Sequence, residues 1–161
     1  NRLSKDNLHY DAKVIFKFVK NYLINLNYVD KLYVMGRSLG SASAFEIIHN
    51  FQDDVAGCII ESGFVTEYPL FNLLNINPEE INFELEDGFM NLVKLKKYKG
   101  RFLVIHSDLD DIIPFSQAEL MMLESPSKEK DLFRVSGANH NSILMMAREE
   151  YFMKINEFIY K

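Results

Sequence analysis

Leu32-Tyr33-Val34-Met35-Gly36-Arg37-Ser38-Leu39-Gly40 is a short apolar run that breaks into a serine with a glycine two residues away on either side. The run has the branched and aromatic content of a strand. Ala42, Ala44, Phe45, Ile47 and Ile48 follow at a spacing that suits one face of a helix. A serine between two such elements sits on a sharp strand-to-helix turn, and small residues on both sides keep that turn from clashing. Its oxygen then projects above the sheet. The backbone N–H of Leu39 points into the same space, helped by the positive end of the helix dipole, and is a candidate oxyanion donor. Acyl transfer is the chemistry this turn suggests first. The plainer reading is a helix N-cap, the commonest use of serine in front of a helix, although a cap does not require flanking glycines.

Outward from this turn, helices and strands alternate. Residues 31–36, 55–61, 101–106 and 131–136 are short runs too apolar for simple alternation, which predicts strands buried on both faces of a parallel sheet. Leu8, Ala12, Ile15, Phe16, Val19, Leu23 and Leu26 fall on one face of a helix, with Lys13, Lys17, Lys20 and Asn25 opposite. Gln117 to Leu123 suits another helix, and Leu144, Ala147, Tyr151, Ile155 and Phe158 mark the last. The order implies an α/β layer architecture with ligands beyond the carboxyl ends of the strands.

Two later segments supply what an activated serine needs. An imidazole must take its proton, and a carboxylate must orient the imidazole and stabilise its cation. Phe102-Leu-Val-Ile-His106-Ser-Asp108-Leu-Asp110-Asp111-Ile-Ile-Pro114 runs from a strand into an acidic loop, and Leu132-Phe-Arg-Val-Ser-Gly-Ala-Asn-His140-Asn runs from a strand into a turn carrying a histidine. Any of Asp108, Asp110 and Asp111 could be the acid or could merely close a turn. His140 could equally be a surface residue near a helix start.

Together these motifs resemble the α/β-hydrolase family, in its esterase- or lysophospholipase-like branch. Gly36-Arg-Ser-Leu-Gly40 is similar to its nucleophile elbow, His106-Ser-Asp-Leu-Asp110-Asp-Ile-Ile-Pro114 to its acid loop, and Gly137-Ala-Asn-His140-Asn to its histidine loop. Glu61-Ser62-Gly63-Phe64 also has the look of that branch. The resemblance implies an α/β-hydrolase fold, a mostly parallel sheet flanked by helices, with the order Ser38, Asp110, His140 as the triad. It selects Asp110 among the three aspartates and reads His106 as a structural hydrogen-bonding residue. Three positions depart from the pattern: Ser107 stands for a glycine and strains the acid loop, Arg101 for a proline, and Asn139 for a glycine. The family's upstream strands, and the second oxyanion donor that they carry, have no counterpart here. A longer natural chain is therefore expected.

With 161 residues and 48% hydrophobic content, a single domain over 1–161 is expected. A net charge of −5 gives no electrostatic footprint for nucleic acid. Lys94-Leu-Lys-Lys-Tyr-Lys99 reads as a solvated helix end, and the lone Cys58 as a small buried hydrophobe. His9 and His49 read as exposed helix residues. No apolar stretch reaches the length of a transmembrane helix, and the start Asn1-Arg-Leu-Ser-Lys has neither a signal peptide pattern nor a methionine, so a cytoplasmic protein is expected.

The stretch 64–95 is the least regular, mixing Phe64, Tyr68, Leu70, Phe71, Leu73, Leu74 and Ile76 with Pro69, Asn75, Asn77 and Pro78. It reads either as a short lid whose Phe64, Leu70 and Phe71 contact substrate, or as an ordinary loop and helix on the sheet. Two functions remain open at this stage. One is a serine hydrolase acting on a small-molecule ester, thioester or related acyl bond, without cofactor or metal. The other is a non-catalytic protein that binds a ligand or partner in the same cleft. Epoxide chemistry would call for an aspartate in place of Ser38.

Overall fold

Four parallel strands, β1 (Tyr33–Arg37), β2 (Gly57–Glu61), β3 (Arg101–Ser107) and β4 (Lys130–Val135), lie side by side in chain order. The computed structural model describes residues 4–28 and 31–160; the opening Asn1-Arg2-Leu3 lies outside them. Among the described residues, seven α-helices connect and cover the strands: α1 (Lys5–Asn25), α2 (Gly40–Phe51), α3 (Tyr68–Leu74), α4 (Asn91–Leu95), α5 (Ser116–Glu124), α6 (Ile143–Ala147) and α7 (Glu149–Tyr160). Strand side chains alternate between the faces. Val34, Cys58, Ile60, Phe102 and Val104 meet Phe16, Phe45, Ile48, Leu95 and Met121 from the helices on one side. On the other, Ile59, Leu103, Ile105, Phe133 and Val135 meet Ile143, Tyr151 and Phe158.

Burial on both faces, expected for all four strands, holds only for β2 and β3. In the outer strands it alternates, and Met35 of β1 is 45% exposed. The reason is lateral position: β1 and β4 are the outer strands of the sheet, and an outer strand has a neighbour on one side only. The apolar face expected of α1 is likewise too wide. The helix starts at Ser4, whose hydroxyl accepts the Asn7 N–H at 3.2 Å. It buries only Ala12 and Phe16, the latter stacked on Phe51 with ring centroids 4.9 Å apart. Leu8 and Leu23 are half-buried, while Ile15, Val19 and Leu26 are exposed. The final helix divides at Arg148 (φ 48°), which leaves Leu144 outside the buried stripe.

The stretch 64–95 has two anchored ends and a projecting middle. Phe64, Val65 and Leu95 are core. Gln117 accepts the Val65 and Thr66 N–H groups, and Asn91 donates to the Phe64 carbonyl. Between Glu67, whose carboxylate accepts the Phe89 N–H at 2.6 Å, and Gly88, the chain makes α3, a left-handed turn at Asn75 and a short 3₁₀ turn at Leu85–Asp87. Most of this excursion is exposed.

His9 is not an exposed helix residue, whereas His49 is. Its ring stands 3.1 Å from Lys94 Nζ, and Lys94 pairs with Glu46 at 2.7 Å, both charges buried. Lys13 reaches the second Glu46 oxygen at 3.2 Å. Burial holds the His9 pKa below its ordinary value, with Lys94 acting in the same direction. At Glu46 burial acts upward, but Lys94 and Lys13 together outweigh it and lower the pKa. This cluster joins α1, α2 and α4 beneath the sheet. Removing one buried partner leaves the other charge uncompensated, at a cost of about 3–5 kcal/mol, whereas exposed pairs contribute about 0–1 kcal/mol. Glu46→Gln should therefore lower the urea midpoint markedly. Lys96→Gln, which breaks the surface pair with Glu124, should leave that midpoint nearly unchanged.

Candidate active site

β1 ends at Arg37 and α2 begins at Gly40, so Ser38 and Leu39 make the whole turn. Ser38 is left-handed (φ 51°), a conformation that costs a non-glycine residue about 1–3 kcal/mol and persists only where its surroundings impose it. Its N–H donates to the Glu61 carbonyl at 3.0 Å, which extends the β1–β2 ladder by one bond into the turn. Gly36 permits the tight return of α2. A Cβ there would stand 2.6 Å from the Gly40 carbonyl oxygen and 2.7 Å from Ala44 Cβ. Gly40 is different, since a Cβ would meet nothing within 4 Å. The expectation that both glycines relieve a clash thus applies to Gly36 alone. Ser38 is not a cap: Leu39 occupies the cap position of α2, with no side-chain cap bond. The Leu39 side chain is exposed.

The hydroxyl of Ser38 faces His140 instead, with Oγ 3.0 Å from Nε2. His140 is buried, and its Nδ1 lies 2.9 and 3.0 Å from the two oxygens of Asp110. The Asp110 carboxylate is fully buried and also accepts the N–H groups of Ile112 (3.0 Å) and Ile113 (2.8 Å). With the carboxylate accepting from Nδ1–H, Nε2 is left free to accept from Ser38.

Each of the three loop aspartates has a separate partner. Asp111 accepts the backbone N–H of His140 at 3.1 Å. Asp108 accepts the Gly137 N–H at 2.8 Å and pairs with Arg134 at 3.1 Å. Those contacts lower both pKa values, the Gly137 N–H leading for Asp108 and the His140 N–H for Asp111. Ser107 does not strain the acid loop. Its buried hydroxyl donates to the Ala138 carbonyl and accepts the Leu109 N–H at 3.2 Å, tying the acid loop to the histidine loop. Asn139 shapes the latter, its side chain accepting the Asn141 N–H at 3.0 Å while Gly137 takes the positive φ of 78°. Buried His106 donates Nε2–H to the Ile113 carbonyl at 2.9 Å, leaving Nδ1 without a partner among the described residues. Burial lowers its pKa.

Phe64, Leu70 and Phe71, the three residues expected on an acyl-binding surface, pack against the protein's own side chains. Phe64 is fully buried with Ala42 and Ile113, and Leu70 packs against that cluster. Phe71 stands edge-on to Phe83 at 4.7 Å. A cleft of about 240 Å³ beside the acid loop is lined by Pro69, Asn72, Leu73, Asp111, Ile112 and Pro114. Helical geometry explains the offset, because residues 69, 72 and 73 share the face of α3 turned to the loop and 70 and 71 do not. A second groove of about 770 Å³ runs between α1 and α2 and includes Leu39, Ile47 and Phe89. Sequence reasoning also missed Arg37, Glu61 and Tyr151. Arg37 donates to Glu61 at 2.9 Å, to the His140 carbonyl at 2.6 Å and to Asn141 at 3.0 Å, and Tyr151 donates to the other Glu61 oxygen.

A protein-family model described as the prolyl oligopeptidase family matches residues 3–161. The chain belongs to this family. Among curated proteins, prolyl-oligopeptidase-family residues here are 27% identical over 131 residues to alpha/beta hydrolase domain-containing protein 17C of Mus musculus, covering 81% of this chain and 38% of that protein. Alpha/beta hydrolase domain-containing protein aho-3 of Caenorhabditis elegans is 25% identical over 157 residues, covering 97% and 43%. The chain thus spans less than half the length of both relatives. Among solved structures, the metagenome-derived lipolytic enzymes LipS and LipT give a TM-score of 0.73 at 17% identity, covering 98% of this chain and 74% of that one. A Paleococcus ferrophilus monoacylglycerol lipase gives 0.65 at 16%, covering 92% and 74%. Pyrococcus horikoshii acylaminoacyl peptidase gives 0.70 at 18%, covering 91% and 27%. These likenesses establish the α/β-hydrolase fold.

The two glycines of the turn should separate in a stability measurement. Gly36→Ala forces Cβ against backbone and should cost about 1–3 kcal/mol or more by chemical denaturation; Gly40→Ala should change stability by less than about 1 kcal/mol. A further expectation concerns acid. A histidine whose pKa is lowered on folding prefers to protonate in the unfolded chain, so its contribution is complete above its ordinary value of 6.5 and is lost as pH falls through the lowered folded value. Thermal midpoints should be flat above about pH 6.5 and decline below it, and His106→Asn should shrink that decline.

Proposed function

We propose that this chain carries the catalytic centre of a serine hydrolase that cleaves an ester, thioester or related acyl bond. The observation that carries this reading is the continuous line from Ser38 through His140 to Asp110, with both links at about hydrogen-bond length. Ser38 Oγ attacks the acyl carbonyl carbon as His140 Nε2 takes its proton, and Asp110 stabilises the imidazolium. The carbonyl oxygen becomes an oxyanion facing the Leu39 N–H at the start of α2. Collapse of this species expels the alcohol or thiol, which takes the proton from His140 and leaves an acyl-serine. Water then attacks that acyl group with His140 again as base, releasing the acid and restoring Ser38.

One feature of the site favours ester-class substrates over peptides. The cleft beside Asp111 is walled by Pro69, Leu73 and Ile112, which suits an acyl chain. We read the projecting segment between Glu67 and Gly88 as a lid over that cleft.

In the full-length protein, a fluorophosphonate probe should label Ser38 covalently, and short-chain aryl esters should be hydrolysed in parallel. Activity should fall on acidification, because a protonated imidazole cannot accept the serine proton. Ser38→Ala and His140→Ala should each lower kcat by roughly 10³-fold or more. The double variant should be little worse than either alone, since members of such a unit are strongly non-additive. Absence of labelling, or labelling that survives Ser38→Ala, would favour a non-catalytic protein that binds a ligand in the same cleft.

A further inference from the structure

Arg37, beside the nucleophile, has no part in the proton transfers above, yet it ties the ends of β1 and β2 to the loop that follows β4. It is the last residue of β1 and lies in register with Glu61, the last of β2. Its Nε donates to one Glu61 oxygen, and the buried hydroxyl of Tyr151 on α7 holds the other. Burial, with the charge and hydrogen bond of Glu61, raises the Tyr151 pKa and keeps the hydroxyl a donor. The guanidinium is half-exposed, but its anchor is buried and fixed from two elements. From that anchor Nη2 reaches the His140 carbonyl at 2.6 Å and Asn141 at 3.0 Å.

The backbone and ring of His140 are therefore held from two directions. Asp110 takes the ring and Asp111 the backbone N–H, and both belong to the acid loop. The hold on its carbonyl comes from the residue adjacent to Ser38. We propose that Arg37, clamped by Glu61 and Tyr151, is a positioning residue that fastens the histidine loop to the turn carrying Ser38 and so sets the spacing of base and nucleophile. Only a planar fork can donate to Glu61 with Nε while Nη2 reaches the loop, which a lysine cannot reproduce. The guanidinium also sets a positive charge near the imidazole that must become a cation, and Glu61 offsets it. The charged and titratable groups around His140 are Asp110 and Asp111 from the acid loop, His106 from β3, and Arg37 with Glu61 behind it from β1 and β2.

This inference rests on the serine-hydrolase reading, and one set of measurements separates the two. Fluorophosphonate labelling of the wild-type full-length protein tests the reading itself. Given labelling, kcat and KM for an aryl ester, measured separately, test the brace, with folding checked by circular dichroism. Displacement of the base by about 1 Å costs up to about 100-fold in rate. Arg37→Lys should lower kcat by roughly 10- to 100-fold with KM little changed. Arg37→Gln should lower kcat similarly. Tyr151→Phe, which removes one hydroxyl, should lower kcat by a smaller factor. A labelled wild type whose Arg37→Lys and Tyr151→Phe variants keep kcat within about twofold overturns the proposal, whether or not Arg37→Gln folds. An unlabelled wild type overturns the reading beneath it.

Discussion

The left-handed backbone of Ser38 is the constraint on which the rest of the site depends. It turns the chain from β1 into α2 within two residues and lifts the serine oxygen off the sheet. The strain is stored locally and offset by neighbours on both sides. The Ser38 N–H joins the β2 ladder through Glu61, and the bare Cα of Gly36 lets the first turn of α2 fold back against it. Lengthening β1 by one residue would reverse the face on which Ser38 emerges, because strand side chains alternate with a period of two.

The histidine is brought to that serine by loops of quite different sequence position, and hydrogen bonds divide the work among them. Three aspartates within four residues could have been interchangeable anions, yet each has a distinct partner: the Gly137 N–H, the His140 ring and the His140 N–H. Only Asp110 is fully buried, so only its interaction with the imidazole is poorly screened by water. Asp108 and Asp111 act from more exposed positions on backbone donors, and their effect is on geometry.

Most of the architecture was legible because strands and helices leave periodic traces. The four strands, the turn at Ser38 and the facing loops at Asp110 and His140 all lie where their residues suggest. What the sequence could not convey was coverage. Met35 and Ile15 are as apolar as Ile60, but whether an apolar side chain is buried depends on which helix lies above it. Phe64 illustrates the same limit: within an irregular stretch, a residue stitched to the core by Asn91 looks no different from one facing a cleft. Arg37, Glu61 and Tyr151 were invisible for another reason. Their partnership spans more than a hundred residues of chain, and an arginine followed by a serine carries no periodic signal. The one clue was Glu61 itself, a charge at the end of a fully apolar strand, since a buried carboxylate requires a partner.

Ser107 shows how a departure from a familiar pattern can be absorbed by its surroundings. A glycine at the end of β3 would leave the Ala138 carbonyl without the donor that Ser107 supplies. The hydroxyl fills that space and also accepts the Leu109 N–H, so one side chain closes the first turn of the acid loop and pins the histidine loop across from it. Asp108 adds a second tie through Gly137, and Asp111 a third through the His140 N–H. With three ties between them, the two loops cannot shift independently, and a displacement of either moves both the ring and its carboxylate together. The contact left free to vary is the one between this paired unit and the turn at Ser38, and that is where Arg37 is placed.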